Sequence, residues 1–209
     1  MDLRFNATAS AKTDEELLDT IENRQLYLPE TIEASVAELQ YRGHAFTEEE
    51  LTVINEDIEA HRRNADMTGG RIGFASNTYK NNIVQDPDAP SFYSRRAVYG
   101  FTFFLGALFG SIMLAININK TKNPVNALWV ILFGIGFTVM QVVIVQSSHA
   151  NSSLAIIFGI LSASILEYFF WNRFIGNSTF YRLKPIWIPL IIGFAIATLV
   201  VLAAIYAPE

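Results

Sequence analysis

Four long apolar stretches in the second half of the chain constrain its fold more than any other feature. They cover residues 97–118, 127–146, 153–171 and 186–206. Each is close to the ~20 residues that a helix needs to cross the ~30 Å hydrocarbon layer of a bilayer. Helices that are apolar on all sides must be surrounded by a large protein core or by lipid. Because the acidic 96 residues before them are too few to form that core, we predict a four-helix transmembrane bundle.

Charge divides the chain in the same way. Residues 1–96 carry 18 acidic and 10 basic side chains, whereas residues 97–209 carry 2 acidic and 5 basic ones. The acidic half disfavours binding to nucleic acid or to anionic lipid. The chain has no cysteine, which excludes disulfides, thiolate nucleophiles and cysteine-ligated metals. No apolar signal-peptide core lies near the first residue, so we expect no cleaved secretory signal.

The acidic half predicts a small soluble domain of three helices over residues 13–64, after a disordered tail over residues 1–12. Two of these helices open with a capping box, at Thr13 and at Thr47. The middle helix begins at Pro29, a favourable first position. We expect this domain to be the partner-binding module, and its apolar stripes include Leu17, Ile32, Val36, Leu51 and Ile58.

A linker is predicted over residues 65–96, because Gly, Asn, Asp and Pro are frequent there and no helical period persists. The membrane domain then covers residues 97–209. Four spans would place both termini on one side of the membrane. Arg95 and Arg96, which flank the first span, and an acidic domain without a signal favour a cytoplasmic N-terminus. The basic loops 119–126 and 172–185 would then lie outside, against the usual bias of Lys and Arg. We predict cytoplasmic termini.

Small residues recur along each predicted span at intervals that allow helices to approach closely. The predicted helix-packing residues are Gly106, Gly110, Gly134, Gly159, Ala163 and Gly193. These positions concern packing and carry no chemistry of their own.

Glu167 is the one acidic residue inside the predicted spans. It shares a helix face with Gly159 and Ala163, so we expect it to point into the bundle, about one turn from Trp171. An ionisable group at mid-membrane costs several kcal/mol, and this cost falls toward the interface. Three roles remain open: a near-interface carboxylate hydrogen-bonded to a neighbouring helix end or to Arg173, Arg182, Lys120 or Lys122; a proton- or cation-handling group in a pathway; or a contact to a ligand or lipid headgroup. The candidate intramembrane polar site comprises Glu167, Gln141, Asn117 and Thr138.

No motif in the sequence predicts catalysis. The three histidines form no metal-binding pair, and neither a P-loop nor a dinucleotide-binding glycine pattern occurs. Ser147, Ser148 and His149 share a short loop, but no acidic residue lies near them in sequence to complete a catalytic triad. We therefore predict no enzyme activity, no cofactor and no metal.

One segment is similar to a known family. EELLDTIENRQLYLPETIEASVAELQYRG, followed by TEEEL, resembles the N-terminal helical segment of an uncharacterised family of small bacterial multi-pass membrane proteins. FYSRRAVYGFTFFLGALFGSIMLAININK and YRLKPIWIPLIIG resemble the spans of such proteins. The resemblance implies a bacterial inner-membrane location and the same division into two domains. It implies no activity.

Two functions follow as hypotheses. The first is a non-enzymatic accessory or assembly factor whose acidic helical module binds a protein partner or another copy of the chain. The alternative is a small oligomeric transporter or channel with Glu167 in a polar path. In both, the lipid bilayer surrounds the apolar segments.

Overall fold

The computed structural model describes residues 3–66, 82–121, 123–147 and 152–206. These residues are 76% helical and contain almost no strand, which confirms the all-α class. The chain divides into two compact units. Unit 1 comprises Met1–Pro90 with Asn177–Arg182, and unit 2 comprises Ser91–Gly176 with Leu183–Glu209.

The described residues of unit 1 contain four helices where three were predicted. They are α1 (Leu3–Ser10), α2 (Asp14–Glu22), α3 (Pro29–Tyr41) and α4 (Glu48–Asp66), with a short 3-10 turn at Arg24–Leu26. The extra helix occupies the predicted disordered tail. Phe5 and Ala9, one turn apart on α1, are both buried in the core of unit 1. Burial of this apolar face explains why the segment is helical and not disordered.

The predicted helix starts are present. At α2, the Glu16 N–H donates to Thr13 Oγ1 (3.3 Å) and the Thr13 N–H donates to Glu16 Oε2 (2.8 Å). The same reciprocal pair joins Thr47 and Glu50 before α4. Pro29 begins α3. The N–H groups in the first turn of a helix have no partner within the helix. Each capping box supplies an acceptor for one of them, and Pro29 lacks an N–H at this position.

The cap at α4 predicts a pH dependence. The Thr47 N–H bond lowers the pKa of Glu50 below its usual value. A lowered pKa in the folded state means that the stabilisation is present above the unfolded pKa and is lost as pH falls through the folded value. We expect amide exchange in the first turn of α4 to speed up over that range, and Glu50→Gln to reduce this pH dependence. Glu49→Gln, one residue earlier, is the control, and an equal effect there would contradict the cap assignment.

The predicted linker is partly folded. Residues 67–81 lie outside the described residues, but Val84 and Ala89 belong to the core of unit 1. Asp86 is 1% exposed, and its carboxylate accepts from the Leu28 N–H (3.0 Å) and the Thr31 hydroxyl (2.5 Å). This segment therefore completes the N-terminal end of α3.

Unit 2 contains the apolar stretches. Its helices are α5 (Arg95–Leu105), α6 (Ala107–Ile118), α7 (Asn126–Ser147), α8 (Ser152–Ile165), a π-helical segment (Leu166–Trp171), α9 (Asn172–Phe174) and α10 (Trp187–Tyr206). The described residues hold one two-stranded sheet, formed by β1 (Ser91–Phe92) and β2 (Arg182–Leu183).

The first predicted span is not one helix. It breaks at Gly106, whose φ of +90° is readily adopted by glycine but costs strain for other residues. The rings of Phe101 and Phe109 stack with centroids 5.5 Å apart. Eight residues of a continuous helix would separate them by about 12 Å along the axis. Helices α5 and α6 therefore fold against each other as a hairpin.

Among the described residues, two helices, Asn126–Ser147 and Leu154–Phe174, are long and apolar enough to cross a membrane, and Trp187–Leu199 is a shorter apolar helix. Only 17% and 33% of the most apolar windows of the two long helices are buried inside the protein. A core helix of a soluble protein would be mostly buried, so the exposure of these apolar surfaces indicates an association with membrane.

Candidate functional site

The π-helical segment places Glu167 at the candidate site. Leu166, Phe170 and Trp171 of this segment are buried, and Glu167 is half-buried among them. Single π turns inside α-helices occur frequently at functional sites. Within the described residues, Glu167 makes no hydrogen bond and no ion pair within 4 Å, and the positive charge that acts on it is that of Arg95. The sequence had suggested Lys120, Lys122, Arg173 or Arg182 for that role.

Arg95 is held by groups that follow Glu167 along the chain. Its guanidinium lies 5.1 Å from the ring centroid of Trp171 and donates to Asn172 Oδ1 (3.2 Å) and to the Gly176 carbonyl (3.5 Å). Ser94, the residue before it, caps α5 by accepting from the Ala97 N–H (3.1 Å). The start of α5 is therefore joined to the end of the Leu154–Phe174 helix.

The Asn117 side chain forms hydrogen bonds with the main chain of Tyr93, two residues before Arg95. Its amide donates to the Tyr93 carbonyl (2.9 Å), and its Oδ1 accepts from the Tyr93 N–H (2.8 Å). Asn117 is fully buried and Tyr93 is nearly so. The Asn117 side chain thus satisfies both the main-chain N–H and the main-chain carbonyl of the buried Tyr93. It also joins the end of α6 to the start of α5.

Two lysines complete this region of unit 2. Lys120 Nζ donates to the Ser91 carbonyl (3.1 Å) and to Ser91 Oγ (2.8 Å). Lys184 Nζ lies 4.6 Å from the ring centroid of Tyr93, and the Lys184 N–H donates to the Phe92 carbonyl (2.7 Å). We call this region the basic end of unit 2, and define it by Ser91, Tyr93, Arg95, Asn117, Lys120, Asn172 and Lys184.

Asn117→Leu is expected to destabilise unit 2 by about 2–3 kcal/mol, because it leaves the buried Tyr93 N–H and carbonyl without partners. All three tryptophans lie in unit 2, so denaturation followed by tryptophan fluorescence in detergent measures its stability. Asn119→Leu, two residues later and exposed, is the control. Equal losses in the two variants would contradict the role assigned to Asn117.

The four predicted polar residues do not form one hydrogen-bonded group. Asn117 binds the backbone of Tyr93, and the Thr138 hydroxyl donates to the Gly134 carbonyl on its own helix (2.7 Å). Gln141 is half-buried on α7. Among the described residues, no hydrogen bond joins any of these three to Glu167.

The predicted packing residues lie at helix contacts, with one exception. Gly106 forms the hairpin turn described above, and Ala163 is fully buried. A Cβ on Gly110 would lie 2.7 Å from Thr102 Cβ, and a Cβ on Gly134 would lie 2.6 Å from Ser111 Cβ. These two glycines therefore join α6 to α5 and α7 to α6.

The remaining two glycines lie against α5. A Cβ on Gly159 would lie 3.2 Å from the Phe103 carbonyl, and one on Gly193 would clash with the end of the Leu105 side chain. Helices α8 and α10 thus approach the hairpin where a side chain would not fit without movement.

The residues predicted for the partner-binding module form its interior. Leu17, Ile32 and Ile58 are at most 3% exposed, Val36 packs against the same core, and Leu51 is half-buried. They hold unit 1 together and do not offer a docking surface. The exposed side of unit 1 is polar, and on α4 it consists largely of Glu and Asp around the half-exposed Val53.

The residues that the sequence analysis missed are Asp86 in unit 1 and Arg95 in unit 2. Asp86 lies in a Pro-containing segment whose composition is typical of a loop, so its pairing with α3 left no local signal. Arg95 was recognised only as a charge that flanks a span.

No metal site is evident in the described ranges, which hold no group of three or more His, Cys, Asp or Glu side chains placed to bind a metal ion. Of the serine and histidine loop, Ser147 ends α7, whereas Ser148 and His149 fall outside the described residues. No protein-family model, curated protein or solved structure matches this chain.

Proposed function

We propose that this chain is a non-enzymatic integral membrane protein that holds a small acidic helical module at the cytoplasmic face of a bacterial inner membrane, where the module binds a protein partner as an accessory or assembly factor. The supporting observation is the contrast between the two units. Unit 1 has its own apolar core and a charged surface, whereas unit 2 exposes apolar residues along α7, α8 and α10. The resemblance of the N-terminal segment to small bacterial membrane proteins agrees with this location.

The surface of α4 is the part of the module that we assign to the partner. Val53 is 51% exposed and is surrounded on α4 by the exposed residues Glu49 and Glu56. An apolar side chain inside an acidic field suits a partner with a basic rim and an apolar centre. The opposite face of α4 carries Ile54 and Ile58, which belong to the core.

The test is purification of the full chain in mild detergent, compared with the triple variant Glu49→Lys, Val53→Asp and Glu56→Lys. We expect a partner to co-purify with the natural sequence and to be lost from the variant, since every changed side chain is exposed. Glu15→Lys on α2, also exposed, is the control and should retain the partner. A chain that purifies alone, or a partner that is insensitive to the α4 changes, would contradict this proposal.

A second candidate is a transporter or channel, and the observation that favours it is Glu167. A half-buried carboxylate that has no hydrogen-bond partner in the described part of the chain, carried by a π turn, is suited to binding a proton or cation. Under this candidate, Glu167→Gln abolishes proton or cation flux into vesicles while tryptophan fluorescence remains native. Absence of flux from the natural chain, or equal flux from both proteins, would remove it.

A further inference from the structure

We propose that unit 2 contacts the bilayer through three crossing helices and one half-depth hairpin, with its basic end at the anionic headgroups of the cytoplasmic leaflet. This proposal rests on the membrane location proposed above. In it, α5 and α6 enter and leave the bilayer by the same face. The crossing helices are α7, the Leu154–Phe174 helix and α10.

Hydrogen bonds inside unit 1 join two segments that are far apart in the chain. Two distant segments of the chain, residues 82–90 and 177–182, belong to this one unit. The Tyr181 N–H donates to the Asn82 carbonyl (2.9 Å), and the Val84 N–H donates to the Tyr181 carbonyl (3.1 Å). The Arg182 N–H donates to the Pro90 carbonyl (2.9 Å). A compact unit with a charged surface lies on one side of a bilayer, so the chain between these segments crosses an even number of times.

Three of the predicted spans lie between those segments, and three is an odd number. The break at Gly106 removes the conflict. Helices α5 and α6 have 11 and 12 residues, or about 16 and 18 Å, which is roughly half of a ~30 Å hydrocarbon layer. As a hairpin they add no crossing. Only α7 and the Leu154–Phe174 helix then cross between residues 91 and 176.

Hydrogen bonds inside unit 2 bring several helix ends together at the basic end. The ends of α6 and of the Leu154–Phe174 helix meet the start of α5, through Asn117 with Tyr93 and through Arg95 with Asn172. The Lys184 N–H bond to Phe92 brings the start of α10 to the same end. Helices α6 and α8 therefore run toward the basic end, and α5, α7 and α10 run away from it.

Charge assigns this end to the cytoplasmic side. In the sequence, the segments that flank the helices there carry Arg95, Arg96, Lys120, Lys122, Arg173, Arg182 and Lys184, whereas residues 147–152 carry no Lys or Arg. Cytoplasmic segments are enriched in these residues, and their charge attracts anionic headgroups. The hairpin thus removes the conflict that four spans create with this bias. It also places the end of α10 on the opposite side of the membrane from the basic end.

The lipid-facing surface is apolar on all three crossing helices. Helix α10 has no charged residue, and although its segment Trp187–Leu199 alone is too short to cross, the whole helix has the ~20 residues that a crossing requires. Large side chains exposed along the three include Trp129, Val139, Ile157, Ile160, Ile191 and Phe194. Small residues mark the opposite faces, where Gly134, Gly159 and Gly193 meet the hairpin. Each crossing helix therefore presents one face to the hairpin and another to lipid.

The test uses the absence of cysteine, because any single substitution then supplies the only thiol. Glu48→Cys, Val125→Cys and Ser147→Cys place it on unit 1, between α6 and α7, and at the end of α7, all at exposed residues. A membrane-impermeant maleimide is added to intact cells and to inverted membrane vesicles. Labelling in detergent gives the value for complete reaction. Asn123→Cys and Gln146→Cys are second variants that check the results at positions 125 and 147.

We expect positions 48 and 125 to react only in inverted vesicles and position 147 only in intact cells. Positions 48 and 125 reacting from opposite sides would show that residues 97–118 cross, and would overturn the hairpin while leaving the membrane location intact. All three positions reacting from one side would instead overturn the crossings and with them the proposed membrane location. Positions 48 and 125 reacting together from outside, opposite to 147, would retain the hairpin and overturn the cytoplasmic assignment.

Discussion

Replacing Gly134 by leucine is expected to destabilise unit 2 by about 3 kcal/mol, the upper part of the usual range for overpacking a close contact. Even a Cβ at this position would lie 2.5 Å from Ser111 Oγ and 3.2 Å from the backbone Cα of Leu108. Because one neighbour is backbone of α6, relief requires the two helices to separate. Denaturation in detergent, followed by tryptophan fluorescence, measures the loss.

Gly136→Leu is the matched control for this change. It lies two residues further along α7, and a Cβ there meets nothing within 4 Å. We expect its stability to equal or slightly exceed that of the natural chain, since leucine favours helix over glycine. If Gly134→Leu fails to fold, Gly134→Ala alone and together with Ser111→Gly should show a loss and its partial rescue. Equal behaviour at positions 134 and 136 would contradict the α6–α7 contact.

Replacing Asp86 by alanine is expected to destabilise unit 1 by about 3 kcal/mol, because hydrogen bonds to a charged group contribute about 1.5–3 kcal/mol each. The change removes the acceptor of the Leu28 N–H and the Thr31 hydroxyl, and both donors are buried at the start of α3. Amide exchange across α3, measured by mass spectrometry on the full chain, should accelerate by about two orders of magnitude.

The control for Asp86 is Asp88→Ala. The Asp88 N–H donates to Asp86 Oδ1 (2.9 Å), but this bond uses the backbone and survives the substitution. We expect little change in the exchange of α3. Protection of α3 that is unaffected by loss of Asp86, or equally reduced in the two variants, would contradict the assignment of residues 82–90 to unit 1.

Local patterns predicted the parts of the fold that depend on local interactions. The capping boxes at Thr13 and Thr47 and the start of α3 at Pro29 are confirmed, because each involves groups within one helical turn. Leu17, Ile32 and Ile58 were recognised as an apolar stripe, and burial follows from that periodicity. The prediction that this domain binds a partner is a separate one, because side chains that form the core are not available on its surface.

The features that the sequence did not reveal depend on pairing over long separations or on one backbone angle. Asp86 bonds residues 55 and 58 positions away, so no local pattern marks it. The hairpin depends on Gly106, whose place in a G-x-x-x-G pattern is equally typical of a packed continuous helix. Hydropathy averages over such a break, which is why residues 97–118 predicted one span.

Glu167 illustrates the same division for the candidate site. Its place on the inward face of the third apolar stretch was predictable from its spacing to Gly159 and Ala163. The π turn that contains Glu167 was not predictable, because it is a shift of hydrogen bonds within the helix. The interaction with Arg95 was not predictable either, because it depends on how α5 begins.

A distance between two spin labels in a reconstituted bilayer tests whether residues 97–118 turn back at Gly106. The labels are attached at Ser91→Cys and Thr121→Cys, on either side of the hairpin. Since Lys120 Nζ lies 3.1 Å from the Ser91 carbonyl, the account predicts a short distance, limited by the length of the labels. A single distance of about 35 Å or more, as expected for a continuous helix over this stretch, would contradict it.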